Sequence, residues 1–142
     1  MATETLVAFT IKPDMQVSSW EDLTLLRVGV VRGANLPVTI CKTKGIDTYE
    51  ANNLEQLFHL LANSRLDAVV HHLQVGLNTA DSLGISVQMS HVLHKEMVYH
   101  VLNRKHASLA PKLAKVFMDM LDEGTSTRIL GKWAGMLPDP IE

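Results

Sequence analysis

The chain is poor in the residues that announce cross-links, metal clusters and membranes. Of its 142 residues only Cys41 is a cysteine, so it can form no internal disulfide and build no cysteine metal site. With no second thiol and no activating partner in the sequence, the plain reading of Cys41 is a part-buried small side chain. An excess of one charge is missing as well. Thirteen Lys and Arg against fifteen Asp and Glu leave a formal net charge of −2, without the basic face that a nucleic-acid partner would require. No apolar run approaches the roughly 20 residues that span a bilayer. The opening "MATETLVAFTIK" has neither a basic start nor an apolar stretch ending in a small-residue cleavage site, so nothing in the chain as written directs export. Internal repeats and low-complexity segments are absent. So are a phosphate-binding glycine loop, a G-x-S-x-G elbow and paired carboxylates at a catalytic spacing. A noncatalytic protein with no cofactor is expected.

What is present suits one compact domain over residues 1–142 with a real core. Residues 5–11, "TLVAFTI", are rich in β-formers and read as a strand. Pro13 and the Ser18–Ser19 pair mark a loop. Ser19 resembles an N-cap, with Asp22 three residues on, for a single turn over residues 20–23. "LRVGVVRG" is a short apolar run closed by glycine, the pattern of a strand buried on both faces. A short helix ending at Gly45 and a second strand, "IDTYEA", follow. In "NNLEQLFHLLANSR" the positions Leu54, Leu57, Phe58 and Leu61 form a one-sided helical stripe. Asn52 is placed to cap it, with Glu55 reaching back. "LDAVV" is another strand, "QVGLNTADSLG" a small helix closed by Gly84, and residues 95–103 a longer strand. Leu109, Leu113, Val116, Phe117, Met120 and Leu121 then share one face of a helix that stops at Gly124, and residues 126–133 suit a last short helix. Strands alternating with helices on short connections predict a mostly parallel, doubly wound α/β sheet with flanking helices.

Three segments in order, "SWEDLTLLRVGVVRGAN", "NNLEQLFHLLANSRLDAVV" and "LNRKHASLAPKLAKVFMDMLDEGTSTRILGKW", resemble the second half of the solute-binding proteins of amino-acid ABC transporters, the bilobed periplasmic clamshells. The resemblance runs from about Thr5 to Trp133. It implies a periplasmic-binding-protein type II lobe, with residues 5–18 as a first hinge strand and linker and residues 19–90 as the lobe 2 core. Residues 91–142 would be the return hinge strand and C-terminal helices that belong to an incomplete lobe 1. It also implies a periplasmic location and, in a full-length protein, a membrane transporter as partner. No signal peptide is legible in this sequence, so a cytoplasmic location stays open beside the periplasmic one. Bare of a first lobe, the stripe with Leu113 and Phe117 would be a large apolar patch. It must fold back onto this chain or pair with a copy, so self-association through this helix and the N-terminal strand, with exchange of elements, is expected.

Ligands of open parallel sheets sit beyond the carboxyl ends of the strands, near helix N-termini. Two such ends stand out. Arg32-Gly33-Ala34-Asn35 follows the first central strand. There the resemblance implies a site for a ligand carboxylate, although Ala34 lacks the hydroxyl usual after the glycine. The same residues also suit a simple strand-to-helix turn, where glycine serves geometry alone. The other end is "RLDAVVHH". By resemblance His72 stands where an aspartate would take a ligand ammonium, and an imidazole cannot offset that charge. Asp67 reads as structural. Adjacent strand residues point to opposite faces, so only one of His71 and His72 faces the cleft if the strand stays regular. His91, His94 and His100 add no carboxylate or thiol cluster, so no metal site is expected, and His59 and His106 read as structural or solvated. The ligand-binding candidates are therefore Arg32, Gly33, Ala34, Asn35 and His72. The expected function is binding of a small polar or amino-acid-like solute. The alternative is a truncated relative without a working pocket that acts as a structural, dimerising protein.

Overall fold

The computed structural model describes residues 2–131 of the chain. They form two compact units: residues 4–96, and residues 97–131 together with residues 2 and 3. The larger unit is built on a sheet. Its strands are β1 (Ala2–Thr10), β2 (Val28–Val31), β3 (Thr48–Ala51), β4 (Ala68–His72), β5 (Gln88–Met89) and β6 (His94–Val98). Helices α1 (Asn35–Thr43), α2 (Leu54–Ala62) and α3 (Leu73–Leu83) connect them.

The strand order is β3-β2-β4-β1-β5, with β6 also pairing β1. β2 runs parallel to both β3 and β4, and β1 runs antiparallel to β4 and β5. The result is the mixed α/β sheet with flanking helices that the strand–helix alternation predicts. Residues 6–9, read from sequence as part of a hinge crossing, pair with residues 69–72 along the sheet and are buried on both faces.

Period-2 alternation splits the core into two layers. On one face Leu6, Ala8, Val28, Val30, Ala68 and Val70 pack with Trp20, Leu23, Cys41 and Ile46. On the other, Phe9 meets Phe58 edge-on at 5.5 Å. That layer is tight enough to require glycine twice. A Cβ on Gly76 would fall inside the Phe9 ring, and one on Gly29 would strike Leu57 and Leu66. The Trp20 indole donates to the Leu93 carbonyl at 2.8 Å, tying the first loop to the last strands of this unit.

Several local expectations shift. Asn53, not Asn52, caps α2, accepting from the Gln56 amide at 2.8 Å. Gln56 rather than Glu55 reaches back, to the Asn52 amide. Both pairs have the capping-box spacing, and the choice falls to the one whose first residue has extended backbone, Asn53 at φ −149° and ψ 165°. At the first turn (Glu21–Leu25) Ser19 supplies no side-chain cap. Instead the Asp22 carboxylate accepts from the Ser18 and Ser19 amides. The strand expected over residues 95–103 is shorter, ending at Val98. Beyond it Val101 is 92% exposed, and β propensity without a neighbouring strand does not sustain pairing.

The smaller unit holds a 3-10 turn (Arg104–Leu109), α4 (Ala110–Asp122) and α5 (Thr125–Leu130). Gly124 stops α4 in the left-handed region at φ 70°. The last helix is expected over residues 126–133, of which Lys132 and Trp133 lie outside the described residues. No residue of α4 is buried. Leu113, Val116 and Leu121 are exposed, while Phe117 stacks on the His100 ring at 5.0 Å.

Candidate functional site

β2 and β4 are parallel neighbours with Val28 opposite Ala68 and Gly29 opposite Val69, an offset of 40 residues. The parallel pairing puts the carboxyl ends of β2 and β4, and so Arg32 and His72, at the same end of the sheet. The chain leaves β2 through α1 towards β3 on one side and leaves β4 through α3 towards β5 on the other. This divergence between adjacent parallel strands opens a crevice at their carboxyl ends. The two candidate segments thus lie at one end of one sheet.

Their side chains are not aimed together. Arg32 Nη1 donates to Asn52 Oδ1 at 3.0 Å, and its Nε lies 3.8 Å from Glu50 Oε2, so it turns towards β3. Gly33 has φ 81°, a conformation that a side chain would strain. The Ala34 amide donates to Val31 O at 3.0 Å and so closes the turn. The amides of Gly33, Asn35 and Leu36 have no partner among the described residues and form the free N-terminus of α1. A helix N-terminus of this kind attracts a carboxylate or phosphate oxygen.

At the other strand end His72 Nδ1 lies 3.1 Å from Glu4 Oε2, a close approach that lacks hydrogen-bond alignment. Alternation puts His72 on the face of Leu6 and Val70, and His71 on the face of Val7 and Phe9. His72 is also the residue where β4 becomes α3. The two rings end 5.5 Å apart, edge to face. Burial lowers the His71 pKa to about 4, with the neighbouring His72 adding to the effect. His71 is therefore neutral at pH 7.

Sequence reasoning missed one feature here. Thr5 Oγ1, His71 Nδ1 and both amide atoms of Gln74 are buried without a hydrogen-bond partner. The signal was faint. Thr5 is the polar member of the row Thr5, Val7, Phe9, and a lone threonine in a strand is usually unremarkable.

The opposite end of the sheet is structural. Asp67 accepts from the Arg27 amide at 3.0 Å and from Arg27 Nε and Nη2 at 2.9 and 2.8 Å. Lys12 Nζ approaches it at 3.4 Å. Hydrogen bonding to the Arg27 side chain holds this carboxyl far below the usual carboxylate range. Among the described residues no group of three or more His, Cys, Asp or Glu is placed to hold a metal ion. No helix among the described residues is long and apolar enough to cross a membrane.

Solved structures share this architecture. The probable amino-acid ABC transporter extracellular-binding protein ytmK from Bacillus subtilis superposes with a TM-score of 0.73 at 21% identity, over 94% of this chain and 60% of its own. The fold is that of a periplasmic binding protein. An arginine-binding protein from T. maritima, as its P235GK mutant, matches with a TM-score of 0.70 at 21% identity, over 93% of this chain and 58% of its own. The isolated domain 2 of that protein matches at 0.55 and 24% identity, with 63% of this chain covering 98% of it. This chain therefore spans about three-fifths of the length of the full-size binding proteins. No family model and no curated protein sequence matches it. The solved structures named above are all of solute-binding proteins.

Proposed function

We propose that the chain is a noncatalytic solute-binding module whose ligand sits beyond the carboxyl ends of β2 and β4, against Arg32, Gly33, Ala34, Asn35 and His72. The observation that supports this reading is the parallel pairing of β2 and β4, whose carboxyl ends share one end of the sheet. The unpaired amides at the start of α1 supply a carboxylate-binding corner. The names of the proteins sharing the fold, arginine-binding and amino-acid ABC transporter binding proteins, support a small amino-acid-like ligand. They also support a periplasmic location and, for a longer protein containing this segment, a transporter partner. His72 beside Glu4 makes the rim a mixed pair rather than a bare carboxylate, which weakens the usual grip on an ammonium.

One lobe presents half of a clamshell pocket, so the affinity of this chain alone is expected to be weak. Titration calorimetry with L-arginine and L-glutamine on the 142-residue chain tests the proposal. Millimolar dissociation constants, lost in an Asn35→Ala, Gly33→Val double variant that keeps its fold by circular dichroism, are the expected outcome. Absence of heat and of NMR shift changes at 10 mM of either amino acid would sink it.

A second reading, a dimerising relative without a working pocket, is favoured by the apolar face that α4 leaves uncovered. Arg32 held by Asn52 and Glu50, and the Ala34 amide spent on the turn, point the same way. Sedimentation of wild type against Leu113→Glu separates the readings. A dimer dissolved by the substitution, in a chain that binds no solute, selects the second.

A further inference from the structure

The smaller unit carries a charge order that its own helix does not favour. α4 has no acidic residue in its first turn and no basic residue in its last. Its cations, Lys112 and Lys115, lie in the first half; Asp119 and Asp122 lie in the second, with Glu123 directly after. A helix macrodipole is stabilised by the reverse order, anions near the N-terminus and cations near the C-terminus. Lys115 and Asp119 satisfy one another within the helix at 2.8 Å. Lys112 and Glu123 are exposed and form no ion pair among the described residues. They stand about 16 Å apart along the helix, too far to meet each other, yet within about 20° of one another around its axis.

Both flank the apolar stripe. Leu113, Val116, Phe117, Met120 and Leu121 follow at spacings that place them on one face. Leu113, Val116 and Leu121 are 37%, 51% and 59% exposed, and Phe117 sits mid-stripe beneath the His100 ring. We propose that this face pairs with the same face of a second copy, the two α4 helices running antiparallel and crossing at Phe117. The inference rests on the dimerising reading and gives that dimer its interface. A two-fold axis at Phe117 sets Leu113 over the partner subunit's Leu121 and Lys112 beside the partner subunit's Glu123. Each basic half then lies along an acidic half, so the charge order that opposes the dipole of one helix becomes attractive between two. A parallel pair would instead align like charges. An anionic lipid surface fits poorly, because Asp119, Asp122 and Glu123 outnumber the two lysines on the polar side. A helix of this length spans about 20 Å, so the pair buries about 1,000 Å², the lower end for specific interfaces, and the dimer is of micromolar strength.

Sedimentation equilibrium on the full 142-residue chain, with circular dichroism as the control for folding, tests the pairing. Lys112→Glu and Glu123→Lys should each weaken the dimer about fivefold or more, since both symmetry-related pairs turn repulsive. The double variant should return to within about threefold of wild type. Its exchanged charges cannot compensate within one helix and meet only across an antiparallel pair. A dimer unmoved by either single reversal, or not restored by the double, overturns the antiparallel pairing and leaves the dimerising reading standing. Wild type that stays monomeric at about 0.5 mM overturns both. Monomeric wild type that floats with phosphatidylserine vesicles also overturns both and gives the face to a lipid surface.

Discussion

Acid should destabilise the protein through one histidine. In the unfolded chain His71 takes its ordinary value of 6.5, and in the folded chain burial, reinforced by His72, holds it at about 4. A lowered histidine value means that the unfolded state binds more protons between these limits. Stability is therefore complete above about pH 6.5 and falls as the pH drops towards 4. Each tenfold change in proton affinity is worth about 1.4 kcal/mol. The penalty is then about 2 kcal/mol at pH 5 and about 3 kcal/mol at pH 4, a large share of the 5–15 kcal/mol typical of a domain. Urea unfolding from pH 7.5 to 4.5, on wild type and on His71→Phe, tests the effect because the substitution removes the buried titrating group and keeps an aromatic ring in its place. Wild type should lose about 2 kcal/mol more than the variant between pH 7.5 and 5. Parallel pH profiles, or an imidazole NMR titration of His71 with a midpoint near 6.5, would refute the reasoning.

Asp67→Ala should cost about 2 kcal/mol at pH 7 by chemical denaturation, because it strips the Arg27 amide and guanidinium of a shared acceptor. The lowered carboxyl value also means that wild type loses this contribution only below about pH 4, a window separate from that of His71. Gly76→Ala should destabilise by about 3 kcal/mol, since its Cβ meets the Phe9 ring, itself held by Phe58; thermal melts within a degree of wild type would contradict this. Ser64 follows α2 at φ 57°, the only described non-glycine residue with positive φ. Ser64→Gly should therefore stabilise by about 0.5–1 kcal/mol in the same denaturation assay.

Much of the architecture was legible because it is locally encoded. The stripe Leu54, Leu57, Phe58, Leu61 and the left-handed glycines Gly45 and Gly84 mark helices without reference to the rest of the chain. The cap of α2 was misplaced by one residue because "NNLEQ" contains two competing pairs of capping-box spacing, and only the backbone of Asn53 decides between them. The strand after Lys95 was overextended for a different reason. Val98, Tyr99 and Val101 have strand propensity, but a strand persists only as far as a neighbour pairs with it.

The candidate site divides along the same line. From the sequence alone came the strand-end glycine, a short helix after it, and His72 at the close of "RLDAVVHH". These depend on short-range patterns of turn residues and alternating side chains. Register between β2 and β4, and between β1 and β4, is a long-range property that pairs residues 40 and 60 to 66 positions apart. Only the folded sheet could therefore set Arg32 and His72 at one end of the sheet, turn the Arg32 guanidinium away to Asn52, and bury the Thr5 hydroxyl without a partner. Composition and periodicity set which elements form, since each is stabilised by its own caps and apolar face. Which polar atoms are left unpaired was decided by tertiary packing, because burial and hydrogen bonding are counted between elements and not along them.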